Sequence, residues 1–210
     1  MSRTARSTFV AAALTSLAVA ACGGKPEADA KKNEFNPVYD KKTGKLTQLA
    51  FDADKDGRIE TWSYMDGTRI VRIEIDRDSD GKIDRWEYYG ADQKVEKIGI
   101  STENDGKVDA WAYPAPDGSL GKKEISTKRD GKVTRIEHYE AGSLVGVEED
   151  TQAAGRIDKW ETYRNGSLFM VAFDEQRSGK PTRRLVYGSD GQVRVEVDPQ
   201  GTGNWTLATK

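Results

Sequence analysis

From Arg58 onward the chain is a succession of short stretches in which apolar and polar residues alternate with a period of two, separated by clusters of Asp, Gly, Asn and Ser. Residues 52–75, DADKDGRIETWSYMDGTRIVRIEI, show one unit. Arg58 to Met65 is rich in β-branched and aromatic residues, Asp66-Gly67 is a tight-turn signal, and Val71, Ile73 and Ile75 alternate with Arg72 and Glu74. The pattern predicts a β-hairpin whose second strand runs into an acidic loop. Aligned on the loop glycine, the unit recurs at Gly57, Gly81, Gly106, Gly131, Gly155, Gly179 and Gly203, a spacing of 24 or 25 residues that only tandem copies of one supersecondary unit would keep.

The copies share columns. Trp62, Trp86, Trp111 and Trp160 align in the first strand, with Ile136 and Arg184 as departures, beside Tyr64, Tyr88, Tyr113 and His138. In the second strand Ile73, Ile98, Val147, Val171 and Val195 align, as do Ile75, Ile100, Ile125, Phe173 and Val197. The columns predict a sheet with one apolar face and one carrying Arg, Lys and Glu. A single hairpin cannot bury such a face, so neighbours must stack. The fold expected is all-β: an antiparallel meander of tandem hairpins in a twisted, curled sheet, as a ribbon or incomplete barrel. A β-propeller is the alternative, although two strands per repeat fit four-stranded blades poorly. Half units at Tyr39 to Phe51 and around Trp205 suit atypical terminal repeats.

The N-terminus reads differently. Arg3 and Arg6 form a short basic region and Val10 to Ala20 an apolar run too short to span a bilayer comfortably. Val19-Ala20-Ala21-Cys22-Gly23 follows and resembles the lipobox of bacterial lipoproteins, in which the Cys is diacylated and becomes the new N-terminus. The resemblance implies a signal peptide at 1–21, lipidation of Cys22, the only cysteine, and a protein held in the cell envelope. Gly23 rather than Asp after the Cys implies the outer membrane if the source is Gram-negative. More than one acyl chain is needed for stable anchoring. The polar stretch to residue 37 is a tether, leaving 38–210 for the repeats. With 33 basic and 35 acidic residues interspersed, no basic stripe argues for nucleic acid.

The acidic loops are the candidate chemistry. Residues 76–87, DRDSDGKIDRWE, fit the EF-hand loop pattern D-x-D-x-D-G-x5-E, in which alternate carboxylates surround a hard cation and the glycine permits the sharp turn. Strands on both sides argue against the EF-hand fold. The loop resembles instead the D-x-D-x-D-G-x-x-D calcium loops of thrombospondin type 3 and integrin-type repeats. That resemblance implies calcium ligands at Asp76, Asp78, Asp80, Asp84, the Lys82 carbonyl and Glu87. The preceding loop offers Asp52, Asp54, Asp56 and Glu60, with Arg58 at the position of Lys82 and Ser63 in place of the distal Glu. Loop 101–109 has lost its first carboxylate to Ser101, and the later loops keep fewer oxygens. The same Asp and Gly residues also suit a tight β-connection without an ion, so a metal-free structural repeat remains the competing expectation.

No catalytic constellation stands out. His138 is the only histidine and sits in the Tyr column, and no HExxH, GxSxG or phosphate-cradling loop is present. The aromatic columns resemble those of choline-binding and related cell-wall-binding hairpin repeats, which implies a glycan-binding alternative through Trp62, Trp86 and Trp111. Tyr39-Asp40-Lys41-Lys42-Thr43-Gly44-Lys45-Leu46 resembles the YD repeats of RHS-type proteins, which supports the curled hairpin ribbon. The functional expectation is a non-enzymatic, membrane-anchored scaffold or interaction surface, rigidified by calcium, with a protein or cell-wall glycan as partner.

Overall fold

The computed structural model describes residues 35–208. The signal segment, Cys22 and most of the tether lie outside the described residues. Fifteen strands form one antiparallel sheet in sequence order, an open meander with no separate blades. They are β1 Phe35–Tyr39, β2 Leu46–Phe51, β3 Thr61–Asp66, β4 Arg69–Ile75, β5 Arg85–Tyr89, β6 Val95–Ile100, β7 Ala110–Pro114 and β8 Leu120–Ile125. The series continues with β9 Arg135–Glu140, β10 Ser143–Glu149, β11 Lys159–Arg164, β12 Ser167–Phe173, β13 Arg183–Tyr187, β14 Val193–Val197 and β15 Thr206–Leu207. Phe35 to Pro37 thus belong to the sheet, where Phe35 stacks on Phe51 with ring centroids 4.8 Å apart. No helix long and apolar enough to cross a membrane occurs among the described residues.

Odd strands run into even strands through tight turns at one end of the sheet. Asn165-Gly166 has positive φ at both residues (51° and 75°), and Ala141-Gly142 does the same (47° and 77°), the conformation that matches the twist of a two-residue hairpin. A β-bulge sits beside most of these turns, as at Tyr64/Met65 and Tyr88/Tyr89. Even strands run into odd strands through the acidic loops, so all of those loops lie along the opposite end.

The faces differ from the expectation of one apolar and one charged side. Trp62 pairs with Glu74, which pairs with Trp86, and the same row continues through Gly99, Trp111 and Glu124. Ile73 pairs with Ser63 and Glu87 and faces the other way. The Trp and Ile columns therefore lie on opposite faces, and each face alternates apolar and charged strand by strand. The two-residue turn and the bulge set the register, and a shift of one residue exchanges every side chain between faces.

Neither face then needs a covering layer. Long charged side chains of the even strands lie over the aromatics of the odd ones: Arg72 is 4.3 Å from the Tyr64 ring centroid, Lys122 is 4.3 Å from Tyr113, and Lys97 is 4.5 Å from Trp111. Tyr64 and Tyr113 donate their hydroxyls to Glu74 and Glu124 at 2.8 and 3.0 Å. On the opposite face Arg85, Glu87 and Tyr89 form a hydrogen-bonded triad, repeated as Arg135, Glu137 and Tyr139 and as Lys159, Glu161 and Tyr163. Burial and the Glu137 carboxylate push the Tyr139 hydroxyl up to about 12.

The fully buried apolar residues are small, among them Ala110, Val147, Val171 and Ala172. Gly99 is buried beneath Trp111: a Cβ there would lie 3.1 Å from the indole and 3.2 Å from Val108. Gly99→Val should therefore lower stability by about 1–3 kcal/mol, the usual penalty of overpacking, measurable by urea unfolding.

Candidate metal centre

The acidic loops repeat one nine-residue geometry. Counting from the first Asp or Ser, the fourth residue takes positive φ (Lys55, Ser79, Asn104, Arg129, Ala153, Arg177), and so does the glycine at the sixth. Except at Ser101, which accepts from the Asp105 amide at 3.0 Å, the side chain at the first position caps the amide of that glycine, as Asp52 does for Gly57 at 2.9 Å and Asp76 for Gly81 at 2.8 Å. The side chain at the ninth position caps the amide of the second: Glu60 accepts from Ala53 at 2.8 Å and Asp84 from Arg77 at 2.7 Å. Successive loops are joined through the backbone, the Asp76 amide donating to the Glu60 carbonyl and the Ser101 amide to that of Asp84, both at 2.8 Å. Neighbouring loops are two strands apart, about 10 Å at ordinary strand spacing.

Two loops stand apart from the rest. In 52–60 the carboxylates of Asp52, Asp54, Asp56 and Glu60 each bring an oxygen within 4.8 Å of the others, and in 76–84 those of Asp76, Asp78 and Asp84 do the same. These are groups able to hold a metal ion. Each capping carboxylate uses one oxygen on the backbone and turns the other inward. Asp52 Oδ1, Glu60 Oε1, Asp76 Oδ1 and Asp84 Oδ1 are buried and accept no hydrogen bond, and with Arg72 Nε they make up the five buried side-chain nitrogen and oxygen atoms without a partner among the described residues. Asp52, Asp76 and Asp84 are 5%, 2% and 5% exposed.

At the ninth position the second oxygen is taken by a Thr hydroxyl in loops 101–109 and 150–158, a donor that Ala53 and Arg77 lack; for the first position the reason lies at the third residue. Where it is Asp, its carboxylate takes the amide of the fifth residue: Asp56 donates to Asp54 at 3.1 Å and Asp80 to Asp78 at 3.3 Å. In loops 150–158 and 174–182 the third residue is Gln, and the fifth amide goes to the first carboxylate instead, Ala154 to Asp150 at 3.0 Å and Ser178 to Asp174 at 2.9 Å. Both oxygens of Asp150 and Asp174 are thereby used, since Gly155 and Gly179 each donate to the second oxygen at 2.6 Å. Burial alone would raise the carboxyls of Asp150 and Asp174, but these amides outweigh it and hold both below the ordinary value of 3.8.

An isolated all-carboxylate cluster is costly. Two like charges 4.8 Å apart repel by on the order of 3 kcal/mol at an effective dielectric of about 20, and loop 76–84 gathers three. A divalent cation reverses the sign of that interaction and satisfies the inward oxygens, which is the chemistry such a donor set supports.

Not every residue expected from the sequence reaches the centre. Asp80 lies outside the 76–84 group: the Lys82 ammonium and amide, both 2.8 Å away, occupy its carboxylate and hold it below its usual range. Glu87 sits in β5, bonded to Arg85 and Tyr89 at 2.7 Å, and does not join the group. The side chain of Arg58 donates to the Ser79 carbonyl at 3.2 Å, bracing the first loop against the second. One contributor was not read from the sequence: Asn104 of the next loop donates to Asp78 Oδ2 at 3.0 Å. Its signal was its place at the fourth position, shared with every positive-φ residue of the series.

The aromatic columns give no open platform at their centre. Trp62, Trp86 and Trp111 are half-buried, and Trp111 lies over Gly99 with its ring centroid 5.9 Å from that of Tyr88.

Comparison with known proteins adds little. No family model matches the chain, and no curated protein matches it. Among solved structures, the chain is similar to accessory secretory protein 1, 2 and 3 of Streptococcus pneumoniae, with 14% identity over 68% of its length and a TM-score of 0.26. It spans 19% of that chain, and a likeness this slight bears on neither fold nor function.

Proposed function

We propose that this is a non-enzymatic lipoprotein of the cell envelope whose β-repeat domain binds calcium at loops 52–60 and 76–84 and serves as a scaffold or interaction surface. The observation that carries the calcium reading is the set of buried carboxylate oxygens without a donor, which occur at the first and ninth positions of these two loops. Loops whose third residue is Gln use both first-position oxygens on backbone amides, and their ninth residue is either Asp158, whose second oxygen takes the Thr151 hydroxyl, or Thr182. Calcium takes six to eight oxygens, so the main-chain carbonyls of Arg58 and Lys82 and water would complete the shells begun by the carboxylates. The cell-envelope placement rests on the lipobox around Cys22 and the polar tether after it. Outside the cytoplasm, sites with dissociation constants of about 0.1–1 mM would be filled.

Calorimetric titration of calcium into the metal-free full chain tests the reading. Two saturable sites are expected, with one lost in Asp84→Asn and the melting midpoint raised by calcium. No heat of binding, together with a midpoint indifferent to calcium and chelator, would reduce the loops to turns.

A further inference from the structure

We propose that loop 101–109 is a third cation site whose cation belongs to the chain itself: the guanidinium of Arg129, reaching back from the following loop. The expected ion count rests on the calcium reading of loops 52–60 and 76–84, but the assignment of Arg129 stands on its own contacts. Its Nη2 lies 2.7 Å from Asp105 Oδ1 and its Nε donates to Asp109 Oδ2 at 3.0 Å. Asp109 is the ninth residue of its loop, the counterpart of Glu60 and Asp84, and is 4% exposed. In both of those loops this carboxylate leaves an oxygen without a donor, whereas Asp109 has donors on both, from the amide and hydroxyl of Thr102 as well as from Arg129.

The route is built into the repeat. In three loops the side chain of the fourth residue, held at positive φ, leans on the loop before it. Asn104 reaches Asp78, Arg129 reaches Asp105 and Asp109, and Arg177 reaches Gln152 at 3.0 Å. Behind loops 52–60 and 76–84 stand Ser79 and Asn104, which bring no charge. Behind loop 101–109 stands an arginine, whose planar fork suits two carboxylates at once. At loop 101–109, which also has Ser101 in place of the first carboxylate, the residue at this position supplies a cation from the chain itself. The ion-dependent edge of the sheet would end at Asp84.

The test counts ions by calorimetry in the full chain and in two variants, with melting in calcium and in chelator. Arg129→Ala places alanine where Ala153 already adopts φ 53° in loop 150–158. It should raise the count from two to three, melt lower in chelator, and recover with calcium. Asn104→Arg brings a guanidinium to loop 76–84 and should lower the count from two to one. A wild-type count of three would mean that the ion displaces Arg129, and an unchanged count in both variants would make Arg129 a structural ion pair only; either result overturns the proposal. No site in the wild type but one in Arg129→Ala would keep the proposal and remove the calcium reading of the first two loops.

Discussion

Asp76→Asn should melt below the native chain in millimolar calcium and above it in chelator. The amide side chain keeps an oxygen for the Gly81 amide that Asp76 caps at 2.8 Å, so the turn itself is preserved. What changes is one negative charge out of the three gathered by Asp76, Asp78 and Asp84. Without an ion, losing it removes two repulsive pairs, each worth on the order of 3 kcal/mol at an effective dielectric of about 20 before solvent screening. With calcium, the same change removes a ligand charge and weakens binding, and the stabilisation RT ln(1 + [Ca]/Kd) falls with it. At a hundredfold excess over Kd that term is about 2.7 kcal/mol, enough to move the midpoint of a domain this size by several degrees. A variant that is destabilised equally in both buffers would show that Asp76 acts as a cap alone.

Asp150→Ala is the counterpart, and its effect should not depend on calcium. Asp150 accepts from the amides of Ala154, Gly155 and Arg156 at 3.0, 2.6 and 3.1 Å, and all three lose their acceptor when the side chain is cut back. Each buried donor left without a partner costs about 1–3 kcal/mol, less where water reaches it, so a loss of roughly 3 kcal/mol is expected for the loop. The same contacts define an acid limit. Because the folded carboxyls of Asp150 and Asp174 titrate below their ordinary 3.8, the stability they provide is present above that value and lost as pH falls through the lower folded values. Native protein should hold its chelator midpoint from pH 7 to about 5 and lose it below about 4, and Asp150→Ala should show a smaller drop over that acid range. Circular dichroism melts at pH 7, 5 and 3 measure both effects; a variant whose acid loss equals that of the native chain would remove Asp150 from the account.

Much of the architecture was legible in the chain. The 24–25-residue spacing, the period-two stretches and the Gly turns announced tandem hairpins, because alternation and turn chemistry are local properties. Which two loops gather carboxylates was legible too, since carboxylates at positions one, three, five and nine occur together only in 52–60 and 76–84; that 52–60 brings four together and 76–84, the fuller match to the calcium pattern, only three was not. Asp80 and Glu87 fit the sequence pattern equally well, yet Asp80 is taken by Lys82 and Glu87 by Arg85 and Tyr89. A spacing rule places residues along the backbone and does not say which competing partner each side chain will meet.

The amino-acid sequence alone determined the hairpin unit, its repetition and the turn-forming loops, since each depends on residues near one another in the chain. The tertiary structure decided that the Trp and Ile columns occupy opposite faces, that Asn104 and Arg129 each reach the loop before their own, and that four carboxylate oxygens turn inward without a donor. Those outcomes depend on register between strands and on contacts between loops more than 20 residues apart, where one residue of slip at a turn or bulge would have given a different surface from the same hydrophobic pattern.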